Sequence, residues 1–159
     1  MKTPPSIKQI SKIDKLRRIS KVLDNAITVP GTKISFGLDP ILGLLPGGGD
    51  TITGGISAYI VVEAARMGLP HKILWQMVGN ILIDSFAGTI PVLGDFFDVG
   101  WKSNIKNIEL LEKHLDITQS TKSNPLFIFG LILLLTTIVL GFAAITFFTV
   151  RFFWNFVSQ

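Results

Sequence analysis

The sequence predicts an all-α membrane protein: a helical domain of broken helices with an internal duplication, followed by one C-terminal transmembrane helix. Three observations predict it. Of 159 residues, 48% are hydrophobic and only 16% charged, well below the roughly 25% charged residues of an average soluble domain, and the mean hydropathy is +0.51. Residues 125–150 carry no charge at all. Two stretches offset by 45 residues repeat the same Asp, Gly and Pro punctuation. The absence of cysteine excludes disulfide scaffolds, thiolate metal centres and cysteine nucleophiles, and two histidines leave little for an imidazole cluster.

Residues 1–33 hold eight Lys/Arg against two Asp, a net +6, whereas residues 34–159 hold seven against nine, a net −2. Within them Ile7, Ile10, Ile13, Leu16, Ile19, Val22, Leu23 and Ala26 recur at spacings of three and four, which draws an apolar stripe along a helix over residues 6–27. Lys8, Lys12, Lys15, Arg17, Arg18 and Lys21 fill the rest of that surface. Such a helix suits an anionic membrane surface, each cation near the headgroups contributing about 1 kcal/mol. The alternative is that its stripe packs on the rest of the domain. No aromatic interleaves with the cations to stack on bases, so nucleic acid is not an expected partner. The charges run through the helix instead of preceding an apolar block, so no secretory signal is expected.

Residues 34–115 form the second segment. DPILGLLPGGGD (39–50) and DSFAGTIPVLGD (84–95) align at two Asp, two Gly and one Pro, the residues that punctuate backbone. Asp39 before Pro40 is a favoured helix start, and Pro46 and Pro91 each force a break before a new helix expected to be capped by Asp50 or Asp95. Asp98 reinforces the second start. A helix is expected over 51–67, with small residues Gly54, Gly55, Ser57 and Ala58 permitting close helix approach, stopping at Gly68-Leu69-Pro70. The next runs from His71 to about Ile83, with Lys72, Gln76, Asn80 and Asp84 in one polar stripe. The last, over 96–115, is expected to bury Phe97, Trp101, Ile105, Ile108 and Leu111 and to pair Glu109 with Lys113. Residues 51–97 are read as a re-entrant or interfacial hairpin, because crossing would carry Arg66 and Lys72 to the side opposite the basic helix.

Residues 116–124 form a polar linker. The uncharged run that follows suffices for a bilayer core of about 30 Å, which needs about 20 helical residues, and the span is drawn over 125–152 with a short tail at 153–159. Pro125 fits the first helical turn. Trp154, Phe152, Phe153 and Phe156 beside Arg151 suit an interface. Lys106, Lys113 and Lys122 on the near side and Arg151 alone on the far side place the N-terminal domain in the cytoplasm.

The segments LDPILGLLPGGGD, YIVVEAARMGLP and NILID…IPVLGDFFDVGWKSNIKNIELLEKHL resemble the family catalogued as domain of unknown function 4112, found chiefly in prokaryotes. The resemblance covers residues 23–115. Asp39, Pro40, Gly43, Pro46, Gly47, Gly49, Asp50, Pro91, Gly94, Asp95, Asp98 and Trp101 stand where that family has them. Gly48 departs from the apolar residue of many relatives and loosens the first turn. The resemblance implies a small helical membrane-associated domain, in a prokaryotic cytoplasmic membrane, and brings no activity, cofactor or catalytic residue.

An enzyme is not expected. Pro46-Gly-Gly-Gly-Asp50-Thr51 lacks the lysine of a phosphate-binding loop. Asp39, Asp50, Asp84, Asp95 and Asp98 supply oxygen ligands suited to Mg²⁺ or Ca²⁺, but helix capping accounts for at least three of them, so neither metal nor cofactor is expected. The expected role is a membrane-anchored protein acting through anionic headgroups, a second copy of itself or another membrane protein. The alternative is an oligomeric conduit on the paired broken helices, with Asp84 as the ion-handling residue, Asn80 and Gln76 on its face, and Glu63 or Arg66 opposite.

Overall fold

Polar caps and one glycine set the helix boundaries. The computed structural model describes residues 6–25, 27–28, 35–36, 49–88, 102–115 and 124–158. Among them are five helices, α1 (Ile7–Asn25), α2 (Gly49–Arg66), α3 (His71–Gly88), α4 (Ser103–Leu115) and α5 (Pro125–Val157). A two-residue antiparallel pairing of β1 (Ile27–Thr28) with β2 (Ser35–Phe36), in register Ile27 to Phe36, is a small addition to the expected all-helical fold. α1 ends at Asn25, so Ile27, which the periodicity places inside the helix, lies in this pairing instead.

α1 opens on a capping box: the Gln9 N–H donates to Ser6 Oγ (3.3 Å) and the Ser6 N–H donates to Gln9 Oε1 (2.8 Å), satisfying donors that the helix cannot. α2 closes at Gly68, whose φ of 86° places it in the left-handed region. The Leu69 N–H reaches Ala64 O and the Gly68 N–H reaches Ala65 O, the paired bonds of a Schellman stop. Pro70 O then accepts from Ile73 and Leu74 and starts α3. α5 starts at Pro125 with the Asn124 side chain accepting from the Leu126 N–H (3.0 Å).

Three boundaries differ from the expectation. Asp50 is the second residue of α2, inside its first turn and not at its cap. α3 runs straight through Asp84 to Gly88, so Asp84 starts no helix. α4 begins at Ser103, with Lys102 outside it; the part of the expected 96–115 helix at 96–101, with Phe97, Asp98 and Trp101, lies outside the described residues. So do Asp39, Pro40, Gly43, Pro46, Gly47, Pro91, Gly94 and Asp95.

The helices stack in three layers. α1 packs on α4, α4 on α3 and α2, and α5 packs on the opposite side, most extensively on α2. The core joins Leu16 of α1, Ile60 and Val61 of α2, Leu74, Met77 and Ile81 of α3, Leu111 of α4, and Leu131 and Leu135 of α5. Ile13 and Leu23 are buried with them, while Ile7, Ile10 and Val22 of the expected stripe are exposed. The helix over the basic segment therefore packs on the domain. α5 is held to α2 by a close approach at Gly54, where a Cβ would lie 3.1 and 3.2 Å from the two γ-carbons of Val139, and to α3 by the His71 ring stacked on Phe127 at 3.9 Å. Of the expected small residues, Gly54 makes the contact and Gly55 faces open space.

Candidate functional site

Three polar ties fasten α1 to the rest of the domain. Glu63, 2% exposed in the middle of an otherwise apolar α2 surface, accepts from Arg66 Nη1 (2.7 Å) and pairs through its other oxygen with Lys12 of α1. Burial pushes the Glu63 carboxyl up, but the hydrogen bonds and charges of Lys12 and Arg66 outweigh it and hold the group below the ordinary glutamate value. Arg17 donates from Nε to Glu112 of α4 (2.7 Å) and from Nη1 to Asp14 (2.8 Å); the hydrogen bond to Glu112 raises its pKa. The expected Glu109–Lys113 pair does not form, and both residues are exposed.

The third tie is a cap supplied from another helix. Asp24, buried in the last turn of α1, accepts from the Ile105 N–H (2.8 Å) and from Asn104 Nδ2 (2.8 Å) at the start of α4. Its carboxylate serves orphan donors and meets the positive end of α4. Burial nevertheless dominates and raises its pKa, against the hydrogen bonds from Asn104 and Ile105 and the charge of Lys102. Periodicity gave no sign of this tie. A signal was present in the sequence, since an acid in the last turn of a helix opposes that helix's own dipole.

The five expected ion-handling residues do not form one group. Glu63 and Arg66 belong to the Lys12 cluster. Asn80 donates across to Asn107 Oδ1 of α4 (2.8 Å), and Asn107 donates on to Met77 O (3.3 Å). Gln76 is exposed, and Asp84 is half-buried with a partner of its own. Among the described residues no three acidic or histidine side chains converge as metal ligands. Of the six cations expected at a membrane surface, Lys12 and Arg17 are engaged inside the domain, and Lys8, Lys15, Arg18 and Lys21 are exposed.

α5 carries the other candidate surface. Its first half contributes Leu131 and Leu135 to the core but exposes Leu126, Phe129, Ile132 and Leu133, and Leu140, Ile145, Phe147, Phe148, Val150, Phe152, Trp154 and Phe156 are exposed beyond them. Among the described residues it is the one helix long and apolar enough to cross a membrane. It runs to Val157, five residues past the span drawn from the sequence.

The model of the family described as "Domain of unknown function (DUF4112)" matches residues 12–115, 104 of the 159 residues. The chain belongs to this family. No curated protein and no solved structure matches it. The DUF4112 match begins at Lys12, eleven residues before the motifs suggested, and so takes in most of α1 with Lys12, Arg17 and Asp24, the three residues that tie it down. α5 lies outside the matched DUF4112 region yet supplies two of its buried leucines.

Proposed function

We propose that this DUF4112 protein is a non-enzymatic integral membrane protein, a helical domain fixed to the cytoplasmic side of the membrane, acting through contacts with lipid, itself or another membrane protein. The observation that carries this reading is the surface of α5: Leu131 and Leu135 enter the domain core, while twelve large apolar side chains from Leu126 to Phe156 face the outside. An exposed apolar area of that extent marks a membrane or protein contact, and the length and lack of charge favour a bilayer. The exposed Lys8, Lys15, Arg18 and Lys21 supply attraction to anionic headgroups. The positive-inside bias favours the cytoplasmic face for the domain.

The test is extraction of membranes from cells expressing the full chain. An integral protein stays in the pellet at alkaline pH and high salt and is released by detergent; release by alkali or salt alone contradicts the reading. The Asn80–Asn107 bond supports interhelical packing over an ion path. A proton or cation conductance in proteoliposomes that Asp84→Asn abolishes would put the conduit in its place.

A further inference from the structure

α5 carries one ionisable side chain in its 33 residues, Arg151, and residues 117–159 contain no Asp or Glu. Among the described residues the Arg151 guanidinium makes no ion pair. A charge on a membrane span is costly unless it meets a partner or the polar interface. Length alone confines where this one lies. The helix is about 50 Å long, and a hydrocarbon core of about 30 Å takes up about 20 residues of it. A core that starts at Pro125 ends about 9 Å short of Arg151, and one that ends at Val157 closes about 9 Å beyond it. At every placement the guanidinium lies within about two turns of the far headgroups.

The surface around Arg151 is concave. Phe148, Thr149, Arg151, Phe152 and Asn155 line an open groove of about 520 Å³. Spacings of three and four, from 148 to 151 to 155 and from 148 to 152, put them on one side of the helix. Their chemistry is graded along the axis. Phe148, 66% exposed, lies nearest the membrane centre, the Thr149 hydroxyl follows, the guanidinium comes next with Phe152 beside it, and the Asn155 amide is outermost. From Phe148 to Asn155 is seven residues, about 10 Å. Among the described residues the Asn155 side-chain amide, like the guanidinium, has no hydrogen-bond partner.

A phospholipid presents matching groups in the same order along the bilayer normal: acyl chain, ester, phosphate, headgroup. A guanidinium fork fits two oxygens of a phosphate, and the Asn155 amide adds two N–H donors one turn further out. The carbonyl end of the helix opposes an anion with about half a unit charge, and that effect fades within the last turn. Arg151 stands before that turn with a full charge, and Ser158 occupies Trp154 O through its N–H (3.0 Å) and Asn155 O through its hydroxyl (3.3 Å).

We infer that Arg151 and Asn155 bind the phosphodiester of an anionic phospholipid in the leaflet away from the domain, with an acyl chain lying along Phe148 and Phe152. The absence of carboxylates from residues 117–159 decides the headgroup class: the ammonium of a choline or ethanolamine lipid finds no counter-charge here, whereas a singly anionic lipid needs none. The site is separate from the exposed cations of α1, which address the opposite leaflet. The inference rests on the reading of α5 as a span and adds a ligand and the leaflet that holds it.

The absence of cysteine makes a local test direct. Bimane is attached at Phe156→Cys, an exposed position next to Asn155 and outside the groove lining, in the otherwise native full chain in phosphatidylcholine vesicles. A small share of phosphatidylglycerol or of phosphatidylcholine is added, each with a nitroxide on the acyl chain close to the ester. Phosphatidylglycerol should quench at about fivefold lower content. Arg151→Gln should abolish that preference, Arg151→Lys should keep part of it, and Lys15→Gln on α1 should leave it unchanged. Equal quenching by the two lipids, or a preference that survives Arg151→Gln, overturns the site. Soluble glycerol phosphate at matched ionic strength should not remove the preference; if it does, the ligand is a free phosphate ester and the lipid site is refuted. A second label, at Leu140→Cys, separates this failure from that of the span. Quenching there by a nitroxide deep in the acyl chain, without a preference at position 156, refutes the site alone, whereas no quenching at Leu140→Cys refutes the span and the site with it.

Discussion

Replacing Gly54 and Gly55, in turn, by alanine separates the docking of α5 from every other property of α2. The two residues are adjacent on one helix, so each substitution brings the same gain in helix propensity, about 1 kcal/mol. Their surroundings differ. A Cβ at Gly55 meets nothing within 4 Å, whereas one at Gly54 lies 3.1 and 3.2 Å from the two γ-carbons of Val139, a few tenths of an ångström inside ordinary contact. Forcing an extra carbon into packed space costs about 1–3 kcal/mol. Gly55→Ala should therefore stabilise by about 1 kcal/mol, and Gly54→Ala should range from neutral to about 2 kcal/mol destabilising. In the Val139→Ala background both γ-carbons are gone, and the two alanine substitutions should converge on the same gain. Unfolding of the full chain in detergent micelles, followed by helical circular dichroism, reads this as a gap of several degrees, since 1 kcal/mol moves the midpoint by roughly 2–4 °C at this size. If Gly54→Ala stabilises as much as Gly55→Ala, or if Val139→Ala leaves their gap unchanged, α5 is not seated on α2 as described.

Other consequences concern the ties and the docking of α5. Glu63→Gln should destabilise by about 1–2 kcal/mol at neutral pH, less than a fully buried pair because Lys12 and Arg66 are 40% and 51% exposed. Because the folded Glu63 pKa lies below its ordinary value, its contribution is present above the ordinary glutamate range and is lost as pH falls through the folded value; denaturation at several pH values should show wild type and Glu63→Gln converging in acid. Asp24 has the opposite sign: its raised pKa gives stability that is full below the ordinary aspartate value and lost as pH rises through the folded one. Asp24→Asn should therefore gain on wild type with rising pH, whereas Asp24→Ala, which strands the Ile105 N–H and Asn104, should lose about 2–4 kcal/mol at any pH. A chain ended after Leu140 should leave the membrane yet keep its helical melting transition. One ended after Asn124 should not, because it forfeits Leu131 and Leu135, each contributing on the order of 1.5–3 kcal/mol.

The helix stop at Gly68 and the helix start at Pro125 were legible because each uses a residue with few alternatives. Gly68 takes a φ that other residues resist, and Pro125 follows a capping Asn. The packing of α1 was half legible: Ile13, Leu16 and Leu23 follow the stripe inward, but periodicity does not tell a core from a bilayer. What decides it is Lys12 on Glu63, Arg17 on Glu112 and Asp24 on Ile105, pairs separated by many residues with no local signal. The same holds for the polar stripe of α3, where Asn80 finds its partner on α4 and Gln76, one turn earlier, faces outward. The Asp84 punctuation misled about where a helix begins, because α3, anchored in the core by Leu74, Met77 and Ile81, continues through Asp84 to Gly88.

The central claim is that α5 crosses the membrane and holds the domain on one side of it. Single cysteines at Ser158, the cap that ends α5, and at Lys72, beside the His71 that stacks on Phe127 near its start, both exposed, decide it with a membrane-impermeant thiol reagent on intact cells. The account predicts that Ser158→Cys is labelled from outside and Lys72→Cys only after the cells are opened. Labelling of neither until the cells are opened, or of Lys72→Cys alone, contradicts it.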